Sequence, residues 1–140
     1  MPDMIQQQRD YALYRLERAE EDLQSAKELF ADGHYRGANN RAYYAIFHSM
    51  RSALALKSVD SSKHSGVIAE FRRLFIKEGF IPVEVSQMVG SAFTIRNASD
   101  YDDMFIASKT ETNEQINNAQ YVYDQVKAYV MSDITESLHI

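Results

Sequence analysis

The densest run of chemically useful side chains is Tyr35-Arg-Gly-Ala-Asn-Asn-Arg41-Ala-Tyr43-Tyr44-Ala-Ile-Phe47-His48. On a helix the three- and four-residue spacings put Arg41, Tyr44 and His48 on one stripe. A cation, a phenol and an imidazole in a row can grip a phosphate or move a proton. The same trio can equally form a hydrogen-bonded polar layer that fixes helix register in a core. A second candidate, Lys63-His64-Ser65-Gly66, stands where a new helix would begin, so free backbone amides and basic side chains together favour an anion. As structure alone it is an N-cap turn with an accessible His. In the third candidate, Arg96-Asn97-Ala98-Ser99-Asp100-Tyr101-Asp102-Asp103, Arg96 and Asp100 are four apart and pair on one helix face, as a modest salt bridge or as part of a site.

Helices must position these groups. From Asp3 to Asp32, Leu13, Leu16, Ala19, Leu23, Ala26, Leu29 and Phe30 recur at helical spacing until Gly33 stops the run. The charges around Arg15, Glu17, Arg18, Glu20 and Glu21 read as a solvated face. Tyr35 to Lys57 is a second long helix with a small-residue seam of Ala38, Ala42, Ala45, Ser49 and Ala53, which permits close helix approach. After a turn at Val59–Ser62, Ser61 or Ser62 caps a shorter third helix that runs to about Glu78. Gly79-Phe80-Ile81-Pro82 then supplies a stop and a new start. The fourth helix runs from near Pro82 to about Ser99, and Asp100–Asp103 begins a polar connection. Ser108–Glu111 and Thr112–Gln115 both fit a capping box for a fifth helix, with a frayed tail over residues 134–140. With no strand alternation or repeat, the expectation is a single all-α domain over residues 1–133, an up-and-down bundle of four to five antiparallel helices.

Composition narrows the function classes. The 140 residues include no Cys, which removes disulfides, thiolate nucleophiles and Cys-ligated zinc, and only 5 Gly and 2 Pro interrupt long helices. Carboxylate-bridged metal bundles need Glu-x-x-His on each of two facing helices, and this pair of motifs is missing, so no metal or other cofactor is expected. No apolar run is long enough for a membrane span, and the polar start points to the cytoplasm. Net charge is −5, yet residues 34–77 carry eight basic against two acidic residues, +6 locally against −11 elsewhere. That middle segment either faces an anion or pairs with the acidic flanks inside the bundle or across a dimer. The 9 Tyr and 7 Phe suggest an aromatic interface, and a homodimer is the default expectation.

Residues 35–48, then Lys63-His64-Ser65-Gly66-Val67 with Phe71, then Arg96-Asn97-Ala98-Ser99-Asp100-Tyr101, in this order, resemble the HEPN superfamily, most closely its small stand-alone prokaryotic branch. The resemblance spans roughly residues 10–130. It implies a HEPN-like helical bundle that dimerises so that the ends of two fourth helices meet in a cleft. It further implies metal-independent endoribonuclease activity in a toxin encoded beside a nucleotidyltransferase antitoxin. The toxin motif is an Arg followed by a polar residue, with a His five positions after the Arg. Arg96 and Asn97 match its start, but Tyr101 stands where the His belongs. A phenol titrates near 10 and is a poor base at neutral pH, so a proton acceptor would have to come from His48 or His64. The resemblance also raises AMP transfer to a Tyr beside the motif; Tyr101 is near that place, and Asp103 occupies the position itself.

The leading expectation is therefore a HEPN-type dimer that binds RNA or nucleotide phosphate and cleaves RNA, working with a nucleotidyltransferase. Arg96 would hold the scissile phosphate, Asp100 would orient Arg96, and Tyr101 would contact substrate. Asn97, Arg41, Tyr44, His48, Lys63 and His64 would complete the binding surface. The rival is a non-catalytic HEPN interaction module in which the same residues form an ion-pair network at the dimer seam.

Overall fold

The computed structural model describes residues 3–138, with the side chains of the last two left aside. Asp3 caps α1 (Met4–Ala31) through Oδ1, which accepts the Ile5 amide at 3.0 Å. The buried stripe of α1 is Ala12, Leu16, Ala19, Asp22, Leu23 and Ala26. Gly33, at φ +81°, turns the chain in a conformation that a side chain would strain. α2 (Tyr35–Ala55) is the hub, with every other helix packed on it and thirteen of its residues buried. Its small residues permit the approach expected of them: Ser52 Oγ donates to the Ala12 carbonyl at 2.6 Å. Cross-helix contacts fix the directions. Ala12 meets Ser52 while Asp22 meets Arg41, so α1 and α2 run antiparallel.

α2 ends at Ala55, and Leu56–Ser58 turn away from the helix before the expected end at Lys57. Ser58 sits at φ 55°, its hydroxyl accepting from Gln8 Nε2 at 2.6 Å. α3 (His64–Phe71) has Lys63 at its N-cap, so neither Ser61 nor Ser62 holds that position. Ser61 instead accepts the Lys63 amide at 3.3 Å, one step outside the helix. A π-helical turn (Arg72–Ile76) prolongs α3, closed by the Lys77 amide on the Arg72 carbonyl at 2.9 Å. Phe71, just before it, and Phe75, within it, are fully buried, each ring contributing about 1.5–3 kcal/mol on removal from water. Arg72 Nη2 donates to the Ser86 carbonyl of the next helix at 2.9 Å.

Gly79, at φ +82°, makes the stop, and α4 spans Glu84–Tyr101. The helix thus continues past Ser99, and Asp100 and Tyr101 belong to its last turn rather than to the connection. α5 spans Lys109–Leu138. In the first of the two candidate capping boxes Ser108 Oγ accepts the Glu111 amide at 3.1 Å, and the Glu111 carboxylate lies 3.5 Å from the Ser108 hydroxyl. Thr112 is fully buried and its hydroxyl donates to the Ser108 carbonyl, so the second box is interior. The segment expected as a frayed tail is helical through Leu138, with Ile134 packed on the core; residues 139 and 140 lie outside the described residues. Among the described residues there are five α-helices and no strand, and no helix is long and apolar enough to cross a membrane.

Candidate functional site

α4 packs antiparallel on α2, which brings Arg96 to Tyr44 and Ser99 to Arg36. The guanidinium of Arg96 is held three ways. Nε pairs with Asp100 Oδ2 at 3.1 Å, Nη2 donates to the Tyr44 hydroxyl at 3.4 Å, and the group lies 5.4 Å from the Tyr43 ring centre and 6.0 Å from that of Tyr44. Arg36 donates to the Ser99 hydroxyl at 3.2 Å and to the Ser99 carbonyl. Between these groups lies a cleft of about 280 Å³ lined by Arg36, Gly37, Asn39, Asn40, Arg96, Ser99 and Asp100. Two guanidiniums face one carboxylate, so the cleft favours an anion. Among the described residues no cluster of three or more His, Asp or Glu could hold a metal ion.

His64 stands beside this cleft. Its ring stacks on Phe47 at 4.2 Å and meets the Tyr44 ring at 6.1 Å, while Nδ1 shares a 2.7 Å hydrogen bond with the Tyr43 hydroxyl. Arg96 and His64 therefore flank the same pair of tyrosines. Partial burial, then the charges of Arg96 and Arg51, hold His64 below the usual imidazole range, so it is neutral at pH 7. Burial pushes the Tyr43 phenol well above its ordinary value. The hydroxyl stays protonated and serves His64 as donor or acceptor. Among the described residues Nε2 of His64 has no hydrogen-bond partner, which leaves it open to a ligand.

His48 has a different place. Arginine cannot accept a hydrogen bond, so Arg15 Nη1 donates to His48 Nδ1 at 3.0 Å and the imidazole proton sits on Nε2. That nitrogen faces Asp22 Oδ2 at 3.7 Å, an ion-pair distance only if the ring is charged. Burial, reinforced by Arg15, Arg18, Arg51 and Arg41, pushes His48 down to about 4. Asp22 Oδ1 takes Arg41 Nη1 at 3.0 Å. Burial raises the Asp22 carboxyl while Arg41 pulls it back. Arg41 in turn lies 5.3 Å from the Tyr44 ring centre, and Tyr44 touches Arg96.

Arg41, Tyr44 and His48 thus share one stripe, but Tyr44 alone joins the Arg96 cleft while His48 is buried in the α1–α2 seam. Tyr101 is 82 % exposed at the tip of α4. Lys63 is exposed beside His64, and Asn97 is half-buried with no side-chain hydrogen bond among the described residues. Arg36 and Tyr43 lie in the run singled out in the sequence but had no role there, and Asp22 was not singled out at all. Asp22 could have been found, since it falls between Ala19, Leu23 and Ala26 on the apolar stripe, where a carboxylate needs a buried partner.

The sequence profile of the HEPN domain family matches residues 12–129, most of the chain. The protein belongs to the HEPN domain family. "Putative toxin MJ0605" of Methanocaldococcus jannaschii is 37 % identical over 112 residues, covering 80 % of this chain and 83 % of that protein. "Putative toxin MJ0142" of the same organism is 29 % identical over 117 residues, 84 % of this chain and 80 % of that one. A crystal structure of an archaeal HEPN homologue, ST0689, superposes with a TM-score of 0.68 over 85 % of this chain and 97 % of that one, at 18 % identity. That likeness establishes the fold alone, and it agrees with the five-helix HEPN bundle seen here.

Proposed function

We propose that this HEPN protein is a toxin-type component that binds RNA at the Arg96 cleft and cleaves it without a metal ion, with His64 taking the place of the missing motif histidine. The observation that carries the reading is the convergence of Arg96 and His64 on Tyr43 and Tyr44. The two M. jannaschii relatives, by the names they carry, supply the toxin-type role. In this reading Arg96 binds the scissile phosphate and takes its developing charge, and Asp100 holds Arg96 in place. His64 Nε2 accepts the ribose 2′-hydroxyl proton while Nδ1–H donates to the Tyr43 oxygen. The 2′-oxygen then bonds to phosphorus and the 5′-oxygen leaves, taking up a proton from solvent. A neutral imidazole at pH 7 suits this task. Asn97, Lys63, Tyr44 and Arg41 extend the binding surface, and Tyr101, standing in solvent, contacts substrate. A homodimer would bring two such clefts together, with a nucleotidyltransferase as antitoxin.

A second reading rests on one observation: Arg96 is already engaged by Asp100, Tyr44 and Tyr43 with no ligand needed. There the cluster is structural and the protein is a non-catalytic module for the nucleotidyltransferase. Labelled RNA incubated with purified protein in chelator separates the two. Cleavage by wild type, reduced about 100-fold or more in Arg96→Ala and His64→Asn, supports catalysis. Cleavage undiminished in both variants refutes the site, and no cleavage by any of the three favours the module.

A further inference from the structure

At the other end of α2 a cavity of about 440 Å³ opens between the first half of α1, the last turn of α2 and residues 58–60. Arg15 and Arg51 stand on its wall together with Gln8, Tyr11 and Asp60. Arg51 pairs with Asp60 Oδ1 at 2.6 Å, an oxygen that also accepts the Ser61 amide at 2.9 Å, and the Asp60 side chain is 71 % exposed on a loop. Arg15 pairs with no carboxylate among the described residues. Its partners are the neutral His48 ring, at 3.0 Å, and the face of Tyr14, at 5.7 Å. The nearby buried carboxylate, Asp22, is paired with Arg41. A partly buried guanidinium in no direct ion pair therefore stands on the same wall as a second one that repels it, and the single carboxylate of Asp60, paired with Arg51, offsets both charges only in part. Such a pair repels itself until an anion bridges it, and the guanidinium fork matches phosphate oxygens.

The same wall carries an aromatic surface. Tyr11 is 64 % exposed and also borders a neighbouring hollow of about 480 Å³ with Gln7, Asp10 and Tyr14, so its ring is open to a flat partner. We propose that this cavity binds a phosphate monoester carried on a flat aromatic group, with the phosphate bridging Arg15 and Arg51 and the aromatic group stacked on Tyr11. The volume is that of a small-molecule site. The ligand displaces Asp60 from Arg51, so Asp60 acts as an internal competitor. The site is separate from the Arg96 cleft and does not depend on cleavage there.

Adenosine monophosphate, inorganic phosphate and adenosine, each titrated into the full chain by calorimetry with amide shifts followed by NMR, test the assignment. The monophosphate should bind saturably, moving amides in residues 8–15 and 51–60, and about tenfold or more tighter than inorganic phosphate, while adenosine alone gives no saturation. Arg51→Gln should weaken it about tenfold, Asp60→Asn should tighten it, and Tyr11→Ala should bring it down to the level of phosphate. Far-UV circular dichroism verifies that each variant is folded. Absence of saturable binding overturns the proposal, as do affinity unchanged in folded Arg51→Gln and shifts confined to Arg36, Arg96 and Asp100. Equal affinity for the monophosphate and phosphate overturns the aromatic half of it.

Discussion

Replacing His48 by Gln should remove a specific pH dependence of folding. Arg15 and Arg18 face the imidazole from α1 with Asp22, and Arg41 and Arg51 come from its own helix. Burial and these cations bring the group from 6.5 to about 4 in the folded protein. The unfolded chain therefore takes up a proton first as pH falls, and the folded state is penalised. Stability is at its full value above about 6.5, declines as pH falls, and finishes losing this contribution near 4. At about 1.4 kcal/mol per pH unit, the limit is roughly 3 kcal/mol. Asp22, whose carboxyl is raised by burial, gains a proton more readily when folded and offsets part of it. Asp22 is present in both proteins, so the wild-type curve falls by less than this limit while the difference from His48→Gln reports the imidazole. Gln keeps an acceptor for Arg15 and a donor toward Asp22 but does not titrate. Urea denaturation followed by circular dichroism at steps from pH 4 to 8 gives both curves. The difference between wild type and His48→Gln should open across this range, since every other titrating group is common to both proteins. Parallel curves would refute the argument.

Two further substitutions probe positions fixed by packing. Thr112→Val removes the hydroxyl that accepts from Asn39 Nδ2 at 3.0 Å, and Asn39 is only 6 % exposed, so unfolding free energy by denaturant titration should fall by about 1–3 kcal/mol. A β-carbon on Gly66 would lie 2.2 Å from Ser61 Oγ and 3.1 Å from its β-carbon. Gly66→Ala should therefore cost about 1–2 kcal/mol, and in a Ser61→Gly background, which removes both contacts, the cost should largely vanish; equal penalties in the two backgrounds would contradict the clash.

Elements whose ends are set by local chemistry were legible in the sequence. Gly33 and Gly79 mark stops because each occupies a positive φ, and Ser108 caps because its side chain reaches the Glu111 amide from three residues away. What depends on distant partners was not. Thr112 has the same local pattern as Ser108, yet Asn39 of α2 and the covering core make it an interior residue. The π turn requires Phe71 and Phe75 to be buried together while Arg72 reaches Ser86, a condition set by α4 and invisible along α3 itself. At the candidate site, Arg96 and Asp100 were readable as a four-residue pair. The proximity of His64 was not, because 32 residues and two turns separate it from Arg96. Only the packing of α2 between them, through Tyr43 and Tyr44, brings them together.

α2 has one further consequence. It is helical without a break from Tyr35 to Ala55, with Gly37 in its first turn as its one glycine and no proline, so it forms an uninterrupted rod. Arg36 stands on the wall of one cavity and Arg51 on that of the other, fifteen residues apart and about 22 Å along the axis. The helix is in effect a ruler between two cationic marks, and the distance it sets changes only if the whole bundle comes apart.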